Sequence, residues 1–304
     1  MNFLALSFAV LLIPEPRIVV PDDLENTFQS LKDAEAKKDA AQVKSLAVKT
    51  CALTRQVISE PAPESADEKE AWSRHVAYAR EIETYTEYAL ASIGLQGSPA
   101  ETVELLSTLE QQNPKSKYLD EAYGRYLVAL NQTGAAAKIP AVAEKALANF
   151  PDNEDLLLVL ADNAMSHQQS DRALTHAERL INVLNRHQKP EGISAADWQR
   201  KRSASLGRAH WIAGIVHSEK NQYFEADKNL RAALPLIQGN TAMLAPTLYY
   251  LGVANYQLGK MTLNKALLMD AAKFSQQSAA IPSPFSQQAW HNAMVMKDEL
   301  ARMR

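Results

Sequence analysis

Two histidines in the middle of the sequence have the types and the spacing that a chemical site could use. His210 and His217 stand seven residues apart, so they share one face of a helix, where imidazoles could bind a metal ion or transfer protons. No third ligand stands at a recognisable spacing from them, and histidines at such positions usually pack between helices or face water. The sequence therefore predicts no metal, no cofactor and no catalytic residue.

A basic run at residues 200–202, together with Arg208, lies beside Trp198 and Trp211. Surfaces that bind nucleic acid combine such residues, and arginine clusters also recognise carboxylates. The whole chain is slightly acidic, with 35 Asp and Glu against 32 Lys and Arg and a pI near 6.2. We therefore expect no nucleic-acid partner. We interpret the run as a solvated helix surface, for which an acidic peptide tail is a better ligand than a nucleic acid.

The sequence lacks the motifs GxxxxGK[ST], GxGxxG, HExxH and CxxC. Cys51 is its only cysteine, so the chain forms no internal disulfide and no cysteine-based zinc site. We predict that the protein is not an enzyme. An enzyme of unknown class stays an alternative that no constellation of residues supports.

The composition favours helices as the elements that position these side chains. Apolar residues make up 46% of the 304 residues and recur at helical spacing, whereas only 10 residues are glycine. This apolar fraction is enough to bury a sizeable core. The sequence therefore predicts an all-α protein.

Helix pairs repeat along the sequence with a period of about 34 residues. In the clearest pair, which begins at Gly207, the small residues Gly214 and Ala226 let two helices approach while larger neighbours fill the groove between them. Its turn is predicted at Asn221 and Gln222. Units are predicted to begin near residues 83, 120, 154, 207 and 245, with a looser one near residue 24.

This pattern resembles the tetratricopeptide repeat family, including bacterial members of unknown activity. The positions that carry the likeness most specifically are Ala213, Gly214, Ala226, Ala233, Leu251, Gly252 and Tyr256. The likeness extends over residues 83–282 and, more loosely, over 24–58. It implies a right-handed α-α superhelix, or solenoid, whose concave groove is lined by the first helix of each pair and takes a peptide or protein segment.

Local signals mark where several helices begin. A turn is predicted near Lys38 and Asp39, inside the looser hairpin. Ser65 with Glu68 forms a capping-box pattern that opens a long helix. Ser194 is a predicted helix start after the break at residues 189–192.

These signals predict six segments along the chain. They are a signal peptide or N-terminal helix at 1–20, a degenerate hairpin at 22–59, repeats at 65–187, an insertion and helix extension at 188–206, repeats at 207–282 with an interruption of the last one at 260–270, and a capping helix at 283–304. The apolar stretch 3–13 is shorter than the roughly 20 residues of a membrane span, so no stable span is expected. It fits a signal-peptide core, which predicts a periplasmic or otherwise exported protein, with a cytoplasmic one as the alternative.

The repeat register also predicts which side chains line the groove. They are Leu158, Asp162, Met165, Arg208, Trp211, Ile215, Tyr249, Val253 and Tyr256. The leading hypothesis is a non-catalytic scaffold that binds a protein or peptide there. A helical-repeat sensor that binds a small ligand, for example at 188–206, is the alternative. The aromatic members could instead pack against the neighbouring repeat.

Overall fold

The computed structural model describes residues 22–190 and 193–302. Within those residues there are thirteen α-helices, short 3-10 segments at 136–138 and 234–236, and no strand, so the all-α prediction is confirmed. The predicted signal peptide or N-terminal helix at 1–20 lies outside the described residues. The α-helices are α1 (Asp22–Ala36), α2 (Ala40–Ser59), α3 (Ala66–Gln96), α4 (Pro99–Gln112), α5 (Lys117–Gln132), α6 (Ile139–Leu147), α7 (Glu154–Ser166), α8 (Ser170–Arg186), α9 (Ala195–Glu219), α10 (Tyr223–Ala233), α11 (Thr241–Thr262), α12 (Lys265–Ala279) and α13 (Ser286–Arg302).

Helix starts follow local capping chemistry. The side chain of Ser65 accepts a hydrogen bond from the Glu68 N–H at the start of α3, and Ser194 accepts one from the Asp197 N–H at the start of α9. Each serine thereby satisfies an N–H that has no partner inside the helix. Both predicted helix starts are confirmed.

Four hairpins close with the same turn. Near the end of the first helix one residue adopts left-handed backbone angles, with φ between 52° and 60°, at Lys38, Gln168, Asn221 and Leu263. The N–H of the following residue then donates to the carbonyl five residues earlier, as from Gln222 to His217 at 2.8 Å. The turns predicted near Lys38 and at Asn221 are therefore confirmed, and the chain reuses one local geometry along its length.

The helices form two compact units, with the boundary between Gly134 and Ala135. Unit 1 holds α1 to α5 and unit 2 holds α6 to α13. The boundary falls inside the predicted repeat at 120–153, because α5 belongs to unit 1 and α6 to unit 2.

In both units each helix packs against the next one along the chain. A second set of contacts joins alternate helices. In unit 1, α3 contacts both α1 and α5, and α2 also contacts α4. In unit 2, α7, α9, α11 and α13 contact one another in succession. We call the set α1, α3 and α5 and the set α7, α9, α11 and α13 the first-helix layers, because each of these helices, apart from α5 and α13, opens a hairpin within its unit.

Close approach within two hairpins of unit 2 requires glycine. A methyl group on Gly214 would lie 2.6 Å from the Leu230 side chain on α10. One on Gly252 would collide with Ser275 on α12. In both cases the added methyl group would lie closer to its neighbour than van der Waals contact allows. The predicted packing role of these glycines is therefore confirmed.

Residues 260–270, where the sequence predicts an interruption, contain no long loop. They form the last turn of α11, the left-handed residue Leu263, the N-cap Asn264 and the first turns of α12. The additional residues therefore lengthen α11 to 22 residues.

The C-terminal helix α13 packs on α12 through two alanines and a methionine. Ala289, Ala293 and Met296 are buried, and Met296 packs with Ala271 and Ala272. Trp290, by contrast, is 61% exposed. None of the helices described for this chain combines the length and apolar character that crossing a bilayer requires.

Candidate interaction face

The predicted groove residues lie on α7, α9 and α11, three helices of the first-helix layer of unit 2. The intervening helices α8, α10 and α12 form no comparable contacts with one another in the described part of the chain. Eight of the nine predicted residues are partly exposed. We call these eight the interaction face: Leu158, Asp162, Met165, Arg208, Trp211, Tyr249, Val253 and Tyr256.

An ion pair and a stacked ring connect α7 to α9. Nε of Arg208 donates to Oδ1 of Asp162 at 2.6 Å, and its guanidinium carbon lies 4.4 Å from the centre of the Trp211 ring. The two charged side chains are 32% and 39% exposed, so water screens the pair only in part. This arrangement fixes the planar guanidinium while leaving part of its edge in solvent.

Trp211 also has a structural role. Its indole N–H donates to the Met243 carbonyl at 3.2 Å, which ties α9 to α11. Its ring packs against the cores on both sides, alongside Met165. The indole N–H is thus hydrogen-bonded and the ring is packed, so Trp211 mainly supports the interaction face and offers little free surface to a ligand.

Ile215 differs from the other predicted groove residues. It is only 4% exposed and packs with Leu230 and Leu251 in a core shared by α9, α10 and α11. The helical period places Ile215 on the same stripe as Arg208 and Trp211, but the neighbouring hairpin covers it.

Leu158 and Met165 contribute apolar edges on α7. Both are partly buried and pack against the core of α7, α8 and α9, and Met165 also contacts the core around Ile215. Each therefore offers only part of its side chain to a ligand.

An aromatic cluster surrounds Tyr249, the first interaction-face residue on α11. The ring centre of Tyr249 lies 5.2 Å from that of Tyr250 and 5.1 Å from that of Phe285, which precedes α13. Aromatic rings at these separations stabilise one another beyond their buried area. Tyr249 is consequently held in place, and part of its ring stays accessible.

A cleft separates α11 from α13 next to this cluster. It has a volume of about 350 Å³ and is lined by Val253, Tyr256, Gln257, Gln288, His291, Asn292, Val295 and Met296. The Tyr256 hydroxyl donates to Glu299 at 2.8 Å, and the Lys260 ammonium lies 3.5 Å from the same carboxylate. Burial and the hydrogen bond to Glu299 raise the pKa of the Tyr256 phenol. The cleft thus offers amides, a neutral phenol and apolar edges to a ligand.

The basic run at the start of α9 is largely neutralised by the chain itself. Lys201 lies 2.8 Å from Asp155 and 3.4 Å from Glu154, and Arg200 pairs with Asp197. Burial disfavours the charge of Lys201, but the two carboxylates outweigh it and raise its pKa. These contacts support the interpretation of the run as a helix surface.

His210 and His217 are each bound to an amide. Nδ1 of His210 lies 2.9 Å from Asn229, and Nδ1 of His217 lies 2.6 Å from Gln222, where the direction of each bond depends on the tautomer. Among residues 22–190 and 193–302, no three histidine, cysteine or acidic side chains gather as metal ligands would. His210 thus connects the two helices of its own hairpin, whereas Nε2 of His217 also lies 3.4 Å from the Glu178 carboxylate on α8.

The partners that complete this face carry no signal in the sequence. The Met243 carbonyl and Phe285 lie 32 or more residues along the chain from Trp211 and Tyr249, which they contact, and the α13 amides come from a separate helix. No local pattern in the sequence indicates these neighbours.

No protein-family model matches the chain, and no curated protein matches it either.

Proposed function

We propose that the chain is a non-catalytic scaffold of tetratricopeptide type that binds a peptide or protein segment on the interaction face of unit 2. The observation that carries this proposal is the succession of contacts between α7, α9, α11 and α13, without comparable contacts between α8, α10 and α12. Helices that approach one another more closely on one side curve toward that side. The interaction face then lines a concave groove.

The chemistry of the face supports a peptide ligand. Tyrosine and arginine are enriched among the residues that dominate binding energy at protein interfaces. Here Arg208 and Tyr249 are both held in position by neighbours, so little side-chain entropy is lost when a ligand binds. The amides of the cleft between α11 and α13 can both donate to and accept from a peptide backbone.

A display library of random peptides selected on the immobilised full-length chain tests this proposal. Selected peptides are expected to lose affinity for the Arg208→Gln and Tyr249→Ala variants by about 30-fold, the effect of removing an interface residue worth about 2 kcal/mol. Circular dichroism spectra at the temperature of the binding assay should show that both variants keep the helical content of the unaltered chain.

Phe224→Ala is the matched control. Phe224 is 68% exposed on α10, outside the first-helix layer, so its removal should leave peptide binding unchanged. Failure to select any peptide, or equal binding by all three variants, would contradict the proposal.

A small ligand in the cleft between α11 and α13 is the second candidate. The cleft volume of about 350 Å³ lies within the range of small-molecule sites. A thermal-shift screen of metabolites tests it, because a ligand at 100 times its Kd adds about 2.7 kcal/mol of stability. Stabilisation that a Tyr256→Ala variant loses would favour this candidate over the scaffold.

A further inference from the structure

A row of aromatic rings crosses the first-helix layer of unit 1, and the proposed function does not use it. The row consists of Phe28 on α1, Tyr85 and Tyr88 on α3, and Tyr118 on α5. Successive ring centres are 5.3, 5.9 and 5.9 Å apart. We call these four residues the aromatic row.

Packing accounts for one end of the aromatic row but not for its middle. Phe28 is 7% exposed and packs with Val57 and Ile82 in the core of unit 1. Tyr88 is 42% exposed, although its ring touches a neighbour on both sides. Tyr88 thus keeps part of an aromatic ring open to solvent within a row whose other end is packed in the core.

The chain itself shows that these rings attract cations. Nζ of Lys32 lies 4.0 Å from the centre of the Phe28 ring, and Nζ of Lys117 lies 5.0 Å from that of Tyr118. Within the described residues no cation lies over Tyr88, which stands between these two ends. The exposed part of the Tyr88 ring is therefore available to a cation from outside.

Tyrosine hydroxyls on α3 hold two carboxylates, one of them at the row itself. The hydroxyl of Tyr78 donates to Glu25 at 2.8 Å, and that of Tyr85 donates to Glu35. Each carboxylate has further acceptor positions that one hydroxyl does not fill. The negative charge of Glu35 is therefore fixed beside Tyr85, the ring that neighbours Tyr88.

The two units also differ in net charge. Residues 1–134 carry 20 Asp and Glu against 13 Lys and Arg, a net charge of −7, whereas residues 135–304 carry 15 against 19, a net charge of +4. A basic ligand is thus attracted to unit 1 at long range as well as at the row itself.

We propose that the aromatic row binds an arginine-containing segment of a partner protein, with a guanidinium stacked on Tyr88 and paired with the Glu35 carboxylate. Arginine fits better than lysine because its planar group can stack on a ring and donate to a carboxylate at the same time. Lys32 and Lys117 repel further positive charge at the two ends, so the preferred segment has one arginine flanked by neutral residues. This surface is separate from the interaction face of unit 2.

An array of synthetic peptides with one central arginine among varied neutral residues tests the proposal on the full-length chain. Each spot is paired with a spot in which citrulline, a neutral isostere, replaces the arginine. Arginine spots should bind more strongly than their citrulline partners. In solution, the strongest arginine peptide should bind Tyr88→Ala about three- to fivefold more weakly, as expected for an exposed cation–π contact, and Glu35→Gln should also weaken it.

Three variants distinguish binding at the aromatic row from general charge attraction and from binding at the interaction face of unit 2. Tyr88→Phe keeps the ring and should keep binding. Glu64→Gln removes the same charge as Glu35→Gln from an exposed position in the segment between α2 and α3, and it should have no effect. Arg208→Gln should also leave binding unchanged.

Two results would overturn the proposal outright: equal binding of arginine and citrulline peptides, or an equal loss in Glu35→Gln and Glu64→Gln. A loss in Arg208→Gln alone would assign the peptide to unit 2, which leaves the proposed function standing and removes this one.

Discussion

Units 1 and 2 share a hairpin geometry and carry different chemistry on their first-helix layers. Unit 1 places aromatic rings and hydroxyl-bound carboxylates there, as in the pair of Tyr85 with Glu35. Unit 2 places an internal ion pair, Asp162 with Arg208, and an amide-lined cleft at the corresponding helices. The repeated turn and the buried core therefore set the architecture of both units, whereas the partly exposed side chains of each first-helix layer differ and set which ligand that layer can bind.

The largest expected effect concerns the cores beneath both layers. Ile215→Ala in unit 2 and Ile82→Ala in unit 1 each remove a buried side chain, 4% and 1% exposed respectively. Each should lower the free energy of unfolding by about 2–5 kcal/mol, because a cavity is left behind. Urea denaturation followed by circular dichroism measures the loss. A near-neutral Ile215→Ala variant would instead make Ile215 a contact residue, as the sequence predicts.

The next effect tests whether close helix approach is required in unit 2. Gly214→Ala should destabilise the chain by about 1–3 kcal/mol, because the added methyl group overlaps the Leu230 side chain. Gly239→Ala is the matched control, since nothing lies within 4 Å of its added carbon. Equal stability of the two variants would mean that the α9–α10 hairpin can relax.

A smaller effect distinguishes the ion pair of the interaction face from an ordinary surface pair. A double-mutant cycle on Asp162 and Arg208 should give a coupling of about 0.5–1 kcal/mol, because the ring of Trp211 holds the guanidinium. The pair of Lys44 with Glu104 in unit 1, which is more exposed, should give about 0.2 kcal/mol. Similar couplings in both cycles would remove this difference between the units.

The smallest effect appears only at high pH and belongs to unit 1. Burial and the hydrogen bond to Glu25 raise the pKa of Tyr78 to about 12. Since the folded phenol holds its proton longer than the unfolded one, this contribution to stability is present below pH about 10 and is lost as the pH rises toward 12. Tyr78→Phe should therefore flatten the alkaline fall in stability. An unchanged slope of stability against pH would contradict the hydrogen bond of Tyr78 to Glu25.

Features that arise from short stretches of sequence were predictable. Helix starts at Ser65 and Ser194 and the turns at Lys38 and Asn221 depend on residues within one helical turn of each other. Gly214 was also predictable, because small residues at repeat positions mark close approach of two helices.

Features that arise from distant neighbours were not predictable. The Tyr85 hydroxyl donates to Glu35, which is 50 residues away in the sequence, and the Trp211 indole donates to the Met243 carbonyl, which is 32 residues away. The helical period identifies the face of a helix but not which neighbour covers it, so Ile215 could not be separated from Arg208 on the same stripe. The boundary at Gly134 is likewise a property of packing between helices.

Photo-crosslinking tests the central claim most directly. Full-length chains carrying benzoylphenylalanine in place of either Val253, within the interaction face, or Phe224, on α10, would be irradiated with a peptide selected on the unaltered chain. A ligand bound along α7, α9 and α11 predicts crosslinking at position 253 that excess unlabelled peptide abolishes, and none at position 224. Crosslinking at position 224 alone, or at neither position while the peptide still binds, would contradict a binding groove on the first-helix layer of unit 2.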